Sequence, residues 1–250
     1  MLTYLVLVLA GLAAGALNAV AGGGTFLSFP ALVFAGVPPI MANATATLTA
    51  FPGYIGSAWG YRHDLRAEGP LSLRLIIILA VVGGLVGALL LMVTSSEAFS
   101  AIVPWLLLIA TLVFAGGPAI LRLIRARSVG GLGLVASAMI VLAVTTYGGY
   151  FNGGLGIMLL AAFGLVGFVD LNTMNGLKNA VSAILSVVSA ATYAVAGLID
   201  WTYALPLAVA CALGGFVGAS LARKITNPAI LRAFITLVGA TMTIAFFAAG

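Results

Sequence analysis

Charge is what this 250-residue chain has least of: 6% of its residues are Asp, Glu, Lys or Arg, against 63% hydrophobic. A soluble domain carries about 25% charged residues, so this chain lacks the polar material to cover a globular surface. It holds one cysteine, Cys211, and one histidine, His63. A single thiol excludes an internal disulfide and a thiolate metal cluster. With one histidine and no paired acids, hydrolysis inside the membrane has no machinery to run on. The glycine run at 22–24 is followed by no GK[ST] and preceded by no strand, so it is not an ATP-binding P-loop. The net charge of +5 fits Lys and Arg gathered in cytoplasmic loops, rather than a nucleic-acid partner.

What the chain does have is long apolar stretches: 98–121, 130–169, 179–199, 201–222 and 233–250. About 20 apolar residues at 1.5 Å rise cross a 30 Å hydrocarbon core. The expected class is an all-α polytopic membrane protein, with lipid as its solvent. Residues 1–16 are apolar without a positive leader, and the chain stays apolar afterwards, so they read as a retained first helix. The longest polar connection, 62–74, leaves no room for a soluble domain.

The chain reads as two homologous halves, 1–125 and 129–250, forming one transport domain. GGLVGALL at 83–90 matches GGFVGASL at 214–221, and AGGGTFL at 21–27 faces NGGLGIM at 152–158. Asn43 then falls opposite Asn175 and Thr47 opposite Asn179. Arg62, Arg66 and Arg74, then Arg122, Arg125 and Arg127, then Arg223, Lys224 and Arg232 mark three cytoplasmic connections. Equivalent loops of the two halves carry opposite charge character, as inverted repeats require. Five segments per half satisfy that parity: 2–19, 25–37, 43–61, 72–94 and 99–121, then their counterparts. Segments 25–37 and 157–169 are 13 residues each, about 20 Å as helix, too short to cross unaided. They either cross as broken helices or re-enter.

Non-helical backbone at membrane depth survives only where protein or a water-filled cavity surrounds it. Inverted-repeat transporters place such breaks at the substrate, with half-helix N-termini aimed at anionic groups. Gly22, Gly23, Gly24 and Thr25 in the first half, and Gly153, Gly154 and Gly156 in the second, are the expected breaks, abutted by Asn18 and Asn152. The glycines of the GGxVGA pairs instead suit close helix packing. A second break in each half holds Asn43, Thr45 and Thr47, then Asn175, Lys178 and Asn179. The asparagines serve equally as helix caps or as substrate ligands, and the threonines can bond their own helix. Lys178 lies outside the three basic connections; it contacts an anion, snorkels to the interface, or pairs with Asp170. Asp170 and Asp200 suit helix ends near headgroups, or else carry a coupling proton, while Trp59, Trp105, Trp201 and neighbouring tyrosines suit interfacial belts.

NAVAGGGTFLSFPALVFAGVPPIMANATATLTAFPGYIGSAWGYRHDL in the first half resembles the signature of the sulfite exporter TauE/SafE family, also called 4-toluene sulfonate uptake permeases. GYFNGGLGIMLLAAFGLVGFVDLNTMNGLKNAVSAILSVVSAATYAVAGLIDW and the later GGFVGASLARKI are similar to its repeat. The resemblance implies an inner-membrane secondary transporter of sulfite, organosulfonates or related sulfur-containing anions, commonly outward. From the residues alone, the reading is a secondary anion transporter, driven by protons and able to form a homo-oligomer, needing no cofactor or metal. Import of another organic or inorganic anion, or a non-transporting assembly role, are the alternatives.

Overall fold

The computed structural model describes residues 2–20, 23–63, 65–127, 132–222 and 228–249. Among them lie ten helices. The first five are α1 (Leu2–Val20), α2 (Thr25–Phe34), α3 (Pro39–Gly60), α4 (Leu73–Val93) and α5 (Ser96–Arg127). The rest are α6 (Leu134–Tyr150), α7 (Leu155–Val166), α8 (Leu171–Val195), α9 (Trp201–Ala222) and α10 (Pro228–Ala249). By length and hydropathy α1, α4, α5 and α8 each contain a stretch able to cross a membrane. The all-helical, apolar architecture expected from composition is present.

The short helices are shorter than the hydropathy suggested, at 10 and 12 residues, or about 15 and 18 Å. Glycine sets their ends. Gly36 (φ 89°) and Gly167 (φ 102°) adopt left-handed backbone. Val37 N–H then donates to Leu32 O at 3.1 Å, and Phe168 N–H to Phe163 O at 2.9 Å. These six-to-one bonds close the last turn and stop the helix. The next helices start earlier than expected. Pro38 and Pro39 open α3, and Asp170 caps α8 by accepting from Asn172 and Thr173 N–H. Asn43 and Asn175 therefore lie within the helices and cap neither: the proline ring's fixed φ and the aspartate side chain initiate those turns first.

Two long helix pairs frame the molecule, α1 along α9 and α4 along α6. Both pairs run parallel, and small residues bring the backbones together: a Cβ on Gly15 would lie 1.9 Å from Cys211 O, and one on Gly87 2.2 Å from Thr146 O. The GGxVGA glycines at 83, 84, 87 and 214 sit in these contacts. α2 meets α10, as α7 meets α5. At the centre α3 and α8 run antiparallel: Thr45 meets Asp200, beyond the end of α8, and Tyr61, beyond the end of α3, meets Gly176. Along α4, Ile77, Ile78, Val81, Val82, Leu85 and Val86 stay exposed, as a lipid-facing surface should.

Candidate functional site

The first break is closed by its own half. Gly24 N–H donates to Asn18 Oδ1 at 2.8 Å, so the last polar side chain of α1 caps α2. Phe26 N–H turns back to Gly23 O, and Leu27 N–H to Gly24 O. A Cβ on Gly24 would stand 2.2 Å from Ala14 O, which is why only glycine fits. Thr25 Oγ1 is buried without a partner among the described residues. Gly22 lies outside the described residues.

The second break is built from the other side. Phe151 is extended, and Gly154 (φ 74°) begins α7 from left-handed backbone. Here it is the carbonyls that are held. Asn43 Nδ2 donates to Tyr150 O at 2.8 Å, Tyr147 OH to Gly153 O at 2.7 Å, and Tyr193 OH to Gly149 O. Asn152 accepts from Tyr54 OH at 3.0 Å and donates to Ser186 Oγ at 3.2 Å. The N–H groups of Gly153, Gly154 and Gly156 have no acceptor among the described residues. Three N–H groups without acceptors at a left-handed turn opening a helix carry the partial positive charge of a helix start. Gly156, expected within the break, is in the first turn of α7.

The two breaks meet across α2 and α3. Phe29 packs edge-on against Phe151 with centroids 5.8 Å apart. Gly53 abuts Asn18, while the adjacent Tyr54 binds Asn152. Of the expected polar side chains here, Thr47 donates to Asn43 O at 2.9 Å and Thr45 accepts Asp200 N–H at 3.0 Å. Thr47 thus bonds within its own helix, while Thr45 ties α3 to the turn before α9. Asn43 Oδ1 stays unpartnered.

On α8, Lys178 is 2% exposed and does not snorkel. Its Nζ reaches Asn175 Oδ1 at 3.3 Å, and Asn175 Nδ2 donates to Leu171 O at 2.9 Å. Among the described residues no carboxylate lies within salt-bridge distance of it. Asp170 instead binds Arg66 Nη2 at 2.8 Å, while Glu68 accepts Val169 and Asp170 N–H. Thr173 and Asn172 N–H groups, then Arg66, hold the Asp170 carboxyl below its ordinary range. Asn179 is 1% exposed with both amide atoms unpartnered.

Three tyrosines were missed. Tyr54 and Tyr193 are buried deep inside, where hydropathy suggested belts, whereas Trp59, Trp105 and Trp201 are exposed as belts require. Ser182, Ser186 and Ser189 were also missed. Their spacing with Asn179 follows one helical face, which is the signal that marks them.

A family model, "Sulfite exporter TauE/SafE", matches residues 7–246. The "Probable membrane transporter protein" of Haemophilus influenzae is 28% identical over 236 residues, covering 93% of this chain and 90% of that one. "Probable membrane transporter protein YfcA" of Escherichia coli K12 is 28% identical over 232 residues, 92% of this chain and 84% of its own. A third, "Probable membrane transporter protein ORF9" of a Sinorhizobium species, is 28% identical over 66% of this chain and 60% of its own. No solved structure matches significantly. A match running from α1 into α10, through both breaks and the buried lysine, means that the chain belongs to the sulfite exporter TauE/SafE family of membrane transporters.

Proposed function

We propose that the protein is a secondary exporter of sulfite, organosulfonates or related small sulfur-containing anions across the inner membrane, driven by a proton gradient. The substrate sits where the broken-helix starts of the two halves meet, and the halves are inverted repeats working by alternating access. The observation that carries this reading is an interior with excess donors. The Lys178 ammonium has no carboxylate partner among the described residues, and the Gly153, Gly154 and Gly156 N–H groups have no acceptor. A compact oxyanion supplies the charge and acceptor oxygens that either set of donors lacks. Antiparallel α3 and α8, with reciprocal pairing of first and fourth helices, support inversion.

Purified protein should be thermally stabilised by sulfite or methanesulfonate and not by chloride; ligand at 100 times its Kd adds about 2.7 kcal/mol. No response across a broad anion panel overturns the substrate class. Counterflow in vesicles with an imposed pH gradient reads direction and coupling. Single cysteines replacing Ala67 and Ala196 should label from opposite faces of the membrane, and labelling from one face rejects inversion.

A further inference from the structure

Asn175, Asn179, Ser182, Ser186 and Ser189 recur every three or four residues along α8, so they share one helical face. The ends of this stripe are engaged. Asn175 binds Leu171 O and Lys178, Ser186 accepts from Asn152, and Ser189 donates to Gly84 O at 3.0 Å. The middle is not. Asn179 is 1% exposed and Ser182 is fully buried, yet both amide atoms of the first and the hydroxyl of the second have no partner among the described residues. A buried polar group left unpaired costs about 1–3 kcal/mol. Three such atoms within about one helical turn are stable only if something other than the protein completes them. Ser182 is the i+4 neighbour of Lys178 and the i+3 neighbour of Asn179, so it lies on the flank the two columns share.

We propose that Ser182 and Asn179, beside the Lys178 ammonium, form an oxyanion-binding subsite. The Ser182 hydroxyl and Asn179 Nδ2 donate to oxygens of the anion, and Asn179 Oδ1 is left for a donor on the ligand or a water that travels with it. This rests on the anion-transport reading above and adds Ser182, which no motif marks, as a substrate-positioning residue. The engaged serines on the same face are internal controls.

The test compares Ser182→Ala with Ser189→Ala in the purified full-length protein, reading melting temperature without ligand and Kd for sulfite. Removing a hydroxyl with no protein partner should leave the ligand-free melting temperature unchanged or raise it, while sulfite binds roughly tenfold more weakly. Ser189→Ala should do the reverse, lowering the melting temperature because Gly84 O loses its donor, with unchanged Kd. If Ser182→Ala binds sulfite like the wild type, the hydroxyl holds only water and the subsite is overturned, while the transport reading stands. If no anion stabilises the wild type, both fall together. Should Ser182→Ala not purify, Asn179→Ala is read the same way, and undiminished affinity again overturns the proposal.

Discussion

At the first break Gly24 gives its N–H to Asn18, within the same half of the chain. At the second, side chains from α3, α6 and α8 grip the carbonyls of Gly149, Tyr150 and Gly153 and leave the neighbouring N–H groups bare. The same element, a glycine turn opening a short helix, is thus capped in one half and presented in the other. The charge follows the same asymmetry, since Ala46 stands in the first half where Lys178 stands in the second. A capped N-terminus holds structure, and an uncapped one flanked by fixed tethers is preorganised for an anion.

The largest expected effect tests the charged half. Lys178→Ala should abolish vesicle transport while the protein still inserts and melts cooperatively, because only the buried cation is lost. Wild-type transport by this variant removes Lys178 from the site. Next comes Gly154→Ala. Left-handed backbone at φ 74° and a Cβ 2.9 Å from Ala110 Cβ force the turn to reshape. A loss of roughly 1–3 kcal/mol of stability should come with a larger loss of anion affinity. Affinity preserved at wild-type level would erase the difference between the breaks.

Asn18→Ala examines the capped half. It leaves the Gly24 N–H buried and unpaired, so stability should fall by about 1–3 kcal/mol, while transport per folded molecule is retained. A loss of transport with unchanged melting would make the first break a binding element too. The smallest effect concerns the connections. The 61–72 connection clasps the start of α8 through Arg66, Glu68 and Asp170, whereas the connection before α9 reaches α3 through Asp200 N–H on Thr45. Asp170 is lowered in the fold, so its contribution is complete above its ordinary pKa of 3.8 and is lost as pH falls through the lower folded value. Asp170→Asn should therefore lower the melting temperature slightly at neutral pH and flatten its decline at strongly acidic pH. An unchanged acid profile would show that the clasp adds nothing.

Hydropathy located most helices to within about four residues, because a span in lipid must be apolar along its whole length; α5 runs through Arg127, six residues past its expected end at 121 and into the expected connection. The glycine breaks were equally legible, since unwound chain needs residues that tolerate it. Helix starts were less so. Pro38 and Asp170 compete with the Asn43 and Asn175 motifs for the first turn, and each of these stronger initiators lies five residues upstream. The phenols of Tyr54, Tyr147 and Tyr193 were not legible at all. A tyrosine is apolar enough for a span and amphipathic enough for an interface, so its composition does not say which carbonyl it will find.

By itself the sequence determined a helical membrane protein, two glycine-rich breaks ahead of short helices and a lysine in an apolar span, because each is a statement about local composition and length. Only the tertiary structure decided that one break is capped and the other bare, and that Ser182 and Asn179 stand unpartnered while Ser186 and Ser189 do not. Hydrogen-bond partners more than 100 residues apart, such as Asn43 and Tyr150, become neighbours only when helices of opposite halves pack together.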